Sequence, residues 1–110
     1  MFKLMRAEQG KVTILRFIGE VNDASAHDTI RAVIQACLRE GKFNLVVNLK
    51  SVVFIDNLGI AAIMESLGHI RTLKGDIKLA EISIQGSRLL RMMGLVRVFD
   101  IYEVESAAIR

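Results

Sequence analysis

Leu45-Val46-Val47, inside the segment Phe43 to Leu49, is a short continuous apolar run of strand length. Such a run fits a strand buried on both faces, which belongs to a sheet covered by helices rather than to a half-solvated one. The flanking sequence supplies helices. Ile30, Val33, Ile34, Cys37 and Leu38 recur at helical spacing before it, with Gly41 placed to stop that helix. Ser25, with Asp28 three residues on, predicts the helix start as an approximate capping box. After the run, Ser51 to Ile55 reads as a connection, and a second helix is predicted over Leu58 to Lys74. Its inward face is marked by Ile60, Ile63, Met64, Leu67 and Ile70.

The rest of the chain continues the alternation. Residues 2 to 6 and 12 to 18 read as strands joined by a turn at Glu8-Gln9-Gly10-Lys11, and Gly19 is expected to end the second. Ile77 to Ala80 is a further strand. Ile84 to Met93 is a third helix, with Leu89, Leu90, Met92 and Met93 directed inward and Gly94 at its end. Val98 to Ile101 is a last strand, and Glu103 to Ile109 a terminal helix. A hairpin followed by alternating helix and strand gives an α/β fold. The expectation is one domain over residues 1–110, a mixed sheet with an N-terminal antiparallel hairpin and helices packed on it.

Composition narrows the function classes. Hydrophobic residues make up 52% and charged residues 25%, the balance of a globular domain. No apolar run approaches the roughly 20 residues of a membrane span, so no direct membrane insertion is expected, and nothing at the N-terminus reads as an export signal. The single Cys37 lies on the apolar stripe and reads as a core residue, and a lone cysteine suits the cytoplasm. Residues 71 to 97 hold six basic residues (Arg71, Lys74, Lys78, Arg88, Arg91, Arg97) against two acidic ones. That density, without interleaved aromatics, does not suggest nucleic-acid binding. A solvated surface or an acidic protein partner fits it.

The segment Asn48-Leu49-Lys50-Ser51-Val52-Val53-Phe54-Ile55-Asp56-Asn57-Leu58-Gly59-Ile60 resembles the most diagnostic stretch of the STAS domain family. That pattern is a strand ending in Asp-Leu-Ser, a hydrophobic connection, then Asp-Ser-Ser/Thr-Gly-Leu opening a helix. Gly19-Glu20-Val21-Asn22-Asp23, Met93-Gly94-Leu95 with Phe99, and Glu105-Ser106-Ala107-Ala108 resemble the family's flanking features, in order. The resemblance implies a bacterial regulatory module of the anti-sigma factor antagonist type. In such proteins the serine after the Asp is phosphorylated by a partner kinase that is also the anti-sigma factor. The unmodified form binds that kinase and frees the sigma factor. Here Asn57 replaces the serine, Leu58 the next Ser/Thr, and Asn48 the strand-ending Asp. Asn57 has no hydroxyl to phosphorylate, yet asparagine is a good helix cap and is uncharged, like the unmodified serine.

The resemblance therefore implies partner switching without phosphorylation at position 57. Asp56, Asn57, Leu58, Gly59, Ala61, Ala62 and Glu65 are the expected partner-binding residues, with Leu58, Ala61, Ala62 and Glu65 on a helix face apart from the core stripe. The expected partner is an anti-sigma factor with serine kinase character, or other STAS proteins. Two alternatives remain open: an accessory subunit of a membrane transport system, and a small-molecule-sensing module. An enzyme is not expected, because His27 and His69 fall on separate helices and no nucleophile, base and orienting group form a pattern. His27 with Asp23 and Asp28 reads as a solvated helix start rather than a metal cluster, and no cofactor is implied.

Overall fold

In the computed structural model, which describes residues 1–110, a five-stranded sheet runs in the order β1-β2-β3-β4-β5. The strands are β1 (Phe2–Gln9), β2 (Val12–Val21), β3 (Asn44–Ile55), β4 (Asp76–Ala80) and β5 (Ile101–Tyr102). Between them lie α1 (Ala24–Arg39), α2 (Asn57–Met64), α3 (Leu67–Thr72) and α4 (Ile84–Met92), and α5 (Glu105–Ile109) ends the chain. Only β1 and β2 are antiparallel; every later pairing is parallel. Because the strand order follows the chain order, right-handed crossovers place each connecting helix on the same face. The main core shows this, uniting Leu15, Phe17, Val47 and Leu79 of the sheet with Ile30 and Ile34 of α1, Ile63 of α2 and Leu90 of α4. Ala108 of α5 covers Val46 and Ala80 on the opposite face. No helix is long and apolar enough to cross a membrane.

Several expectations are corrected. Gly19 does not end β2, which continues to Val21; at φ 101° it carries an irregularity in the pairing with β3. A side chain there would collide with the Met1 carbonyl oxygen, so only glycine fits. The N-cap of α1 is Asp23, not Ser25: its side chain accepts a hydrogen bond from the Ala26 amide at 2.9 Å. Ser51 to Ile55 is not a connection but the second half of β3. Strand β4 opposes β3 only as far as Asn48, and past Leu49 burial falls at Val52 and Ile55 alone, which removes the alternation expected of a strand.

The single helix expected over Leu58 to Lys74 is two. Ser66 and Gly68, both weak helix formers, lie at the break, where Ser66 is buried and receives the Gln35 amide at 3.3 Å. The apolar stripe Ile60, Ile63, Leu67, Ile70 runs across the break without losing its phase, so periodicity alone does not reveal it. On α4, Met92 points to solvent at 84% exposure instead of inward, while Leu90 is buried. Cys37 is fully buried, and desolvation raises its thiol above the ordinary value.

Candidate functional site

The start of α2 is built by a carboxylate that serves three groups. Asp56, in extended conformation, accepts the Gly59 amide on Oδ1 at 2.7 Å and so caps the helix. His27 of α1 donates through Nε2 to the same carboxylate, at 2.8 Å to Oδ1 and 3.0 Å to Oδ2. A carboxylate here only accepts, so Nε2 carries the proton of this bond. The Asp56 amide in turn donates to the Val21 carbonyl at 2.9 Å. Strand β2, helix α1 and helix α2 thus meet on one residue.

This arrangement differs from the expected one in two ways. The cap is Asp56, and Asn57 is the first residue of the helix, exposed and without a side-chain hydrogen bond. His27 is not part of a solvated helix start: it is 6% exposed. Its position is legible in the sequence, since residues 27, 30, 34 and 37 fall on one helical stripe, although the polar type disguises its burial. Asp23 is committed to its capping bond and Asp28 to Arg31 at 3.3 Å, so neither joins His27.

The seven expected partner-binding residues divide between surface and core. Asn57, Leu58 and Glu65 are exposed, Leu58 at 52%, and Ala61 is half-buried beside them. Asp56 is half-buried. Gly59 and Ala62 are buried, which corrects the placement of Ala62 on an open face. A Cβ on Gly59 would stand 2.5 Å from Val21 Cγ1 and 2.9 Å from Ile55 Cγ1, so glycine lets the first turn of α2 sit against the sheet. Ala62, 2% exposed, belongs to the main core. Glu65 accepts Arg31 Nε of α1 at 2.7 Å and helps hold the two helices together.

A feature absent from the sequence reading lies beside this helix start. Gln85 of α4 grips the end of β3 through both backbone groups of Ile55. Its Oε1 accepts the Ile55 amide at 3.1 Å, and its Nε2 donates to the Ile55 carbonyl at 2.7 Å. It thereby takes the place of the neighbouring strand that β3 lacks at this end. Above Gln85 an open groove runs between Phe54 and Asn57 on one side and Leu89, Met92 and Met93 on the other.

Asn48, 7% exposed, organises a second polar cluster on the face covered by α5. Its Nδ2 donates to Glu81 Oε2 and to Glu105 Oε1, both at 3.0 Å, and its Oδ1 accepts the Lys50 amide at 2.8 Å. Arg16 grips Glu105 with two bonds of 3.0 and 2.8 Å, and that hydrogen bonding holds the Glu105 carboxyl below its ordinary value. An aspartate at position 48 would retain the acceptor for Lys50 but set a third carboxylate between Glu81 and Glu105. The asparagine is thus matched to its two acidic neighbours.

Comparison with known proteins agrees with this architecture. The STAS domain profile matches residues 3–108, and the chain belongs to that family. It is 29% identical over 99 residues to the anti-sigma F factor antagonist of Paenibacillus polymyxa, covering 89% of this chain and 84% of the relative. The crystal structure of a proposed anti-sigma factor antagonist from Thermotoga maritima superposes with a TM-score of 0.87 at 25% identity, covering 96% of this chain and 91% of the other. SpoIIAA, an anti-sigma factor antagonist, shares the fold in its unphosphorylated form. The TM-score is 0.73 at 20% identity, over 99% of this chain and 94% of that one. The Bacillus protein in its phosphorylated form gives 0.75 at 22%, over 99% and 96%.

Proposed function

We propose that this chain is a cytoplasmic protein-docking module of the anti-sigma factor antagonist type, which binds a kinase-type anti-sigma factor through the start of α2 and remains in its binding-competent form. It acts by binding rather than by catalysis. The observation that carries the reading is Asn57. It is exposed and uncharged in the first turn of α2, beside exposed Leu58, on a helix start that Asp56 and His27 hold rigidly. Among antagonists of this type a phosphate of roughly −1.5 to −2 charge on the equivalent serine abolishes binding. A helix N-terminus tolerates such a charge well, so the modification acts on the partner surface and not on the fold. With asparagine there, position 57 stays neutral, and control of the complex passes to the abundance of the protein or to its partner.

The test uses the kinase-type anti-sigma factor of the same bacterium. After incubation with ATP, mass spectrometry of the peptide spanning Asp56 to Ile60 is expected to show no phosphate. Asn57→Asp is expected to fold normally, since the helix dipole favours the new charge by ~0.3 to 1 kcal/mol. It should nonetheless weaken the complex on the order of tenfold, because its carboxylate adjoins that of Asp56 on the docking surface. Unchanged affinity in titration calorimetry would remove Asn57 from that surface. Stoichiometric phosphate on Ser51, which is exposed on β3, would replace the unswitched reading with a switch at another position.

A further inference from the structure

Helix α4 presents to solvent a stripe that no fold requirement explains. Ile84 is 73% and Met92 84% exposed, with exposed Arg88 midway between them and Arg91 alongside. Residues 84, 88, 91 and 92 fall on one helical face. Neither arginine forms an ion pair, as is also true of Arg39, Arg97 and Arg110, but these two alone stand side by side on one helix face next to a groove. On its inner flank this stripe borders the groove floored by Gln85, whose far wall is Phe54 and Asn57. Phe54 is itself 41% exposed, unusual for a phenylalanine with no partner.

We infer that this groove, between the end of β3 and α4, receives an acidic amphipathic helix of the protein partner. Its apolar side would lie on Phe54, Leu89 and Met92 and its carboxylates against Arg88 and Arg91. The inference rests on the reading of the chain as a partner-docking module and specifies the chemistry of the partner. Three features carry it. The surface is an open, shallow groove with a mostly apolar lining, the setting of helix-in-groove recognition. Its walls are fixed in advance, because the two Gln85 bonds to Ile55 lock α4 to β3, so little ordering cost falls on binding. Its α4 wall is basic, with Asp56 the one carboxylate at the opposite end and already bound to His27 and the Gly59 amide, so an acidic partner supplies what the two arginines lack.

Other occupants fit less well. A second copy joined through the same patch would bring Arg88 and Arg91 against themselves, since a two-fold contact is self-complementary. An anionic lipid surface is recognised by clusters of about four to eight basic residues, and two arginines beside a groove fall short of that.

The experiment titrates the isotope-labelled protein with a synthetic peptide of about 18 residues, long enough to hold a helix. The peptide carries a leucine stripe flanked by glutamates; a second peptide has lysines in their place. Phosphatidylglycerol vesicles and sedimentation of the free protein complete the set. The glutamate peptide is expected to shift the amide signals of Phe54, Asn57, Gln85 and Met92. It should bind at least about tenfold more tightly than the lysine peptide, with an affinity that falls as salt rises. The Arg88→Glu, Arg91→Glu double variant and, separately, Met92→Ser change only exposed side chains, and each should lose about tenfold or more of that affinity. Equal binding of the two peptides, shifts elsewhere on the surface, preferential vesicle binding, or self-association through α4 would each overturn the inference. The kinase-type anti-sigma factor then separates the two readings. If it binds the double variant as well as the unaltered chain, the groove is refuted and the proposed function stands. If it binds neither while the glutamate peptide occupies the groove, the reverse holds.

Discussion

Restoring the family's aspartate at position 48 is expected to destabilise this particular chain. In Asn48→Asp the acceptor for the Lys50 amide survives, but both donor bonds, to Glu81 and to Glu105, are lost. Hydrogen bonds to charged groups contribute ~1.5 to 3 kcal/mol each, and the new carboxylate adds repulsion. Arg16 still neutralises part of Glu105, whose side chain is 19% exposed, so a net loss of about 3 kcal/mol at pH 7 is the expected value. A domain of this size has ~5 to 15 kcal/mol in all. The loss should appear in urea denaturation as a lower midpoint with an unchanged slope.

The pH dependence gives a sharper criterion. Crowded by two acidic neighbours, the new carboxyl has its folded-state pKa raised above its unfolded value of roughly 3.9. The folded variant then binds more protons than the unfolded chain, so its stability rises as pH falls. In the unaltered protein Glu105 works in the opposite direction. Its folded pKa lies below the ordinary 4.5, so the stability it contributes is present above that value and is lost as pH falls through the folded one. The two curves must therefore approach each other on acidification from pH 7 toward 5 and below. A variant as stable as the parent at pH 7, or a deficit that stays constant across this range, would refute the account of the Asn48 cluster.

Three further outcomes are expected. His27→Ala removes the buried partner of Asp56 and should cost about 2 kcal/mol, with faster hydrogen exchange at the Gly59 amide; unaltered exchange there would show that Asp56 caps α2 unaided. Gln85→Leu leaves the Ile55 amide and carbonyl without their partner, for a loss of about 2 kcal/mol, and should expose the Ile55 amide to exchange while β4 stays protected. Ala62→Arg forces a charged chain into the core and should cost more than about 4 kcal/mol, so a well-folded variant by circular dichroism would mean that the inner side of α2 has been misplaced.

The legible part of the fold was the part governed by periodicity. The α1 stripe and the doubly buried segment of β3 followed from the spacing of apolar side chains, and the N-terminal hairpin from its strand-like runs and glycine-containing turn. What escaped depended on neighbours distant in the chain. Strand β3 outruns β4, and its last residues take their partners from a glutamine side chain 30 positions away, which no local pattern encodes. Ala62 looked free because a helix is expected to bury one stripe, whereas α2 is gripped by both the sheet and α1 and has two buried sides. At the α2 start, Asp56 and Asn57 are adjacent residues of equal capping quality, so the choice between them was made by the backbone and by His27. The family motif marked the start of α2 to within a residue, but not which of its side chains reach solvent.

The strictly consecutive strand order has a consequence for how the molecule is made. No strand is inserted between two earlier ones, so each new β-α unit finds its docking edge already present when it leaves the ribosome. The β1–β2 hairpin can serve as a template for β3, and the growing edge for β4, without earlier contacts having to open. Only the β1–β2 pairing is short-range; each of the three parallel pairings closes over a helical crossover, so those crossovers set the pace at which each open edge is covered. The exception is the closing step. Glu105 returns 89 residues to Arg16, across the face that the crossover helices leave bare, so that side of the sheet is sealed only once α5 has been synthesised.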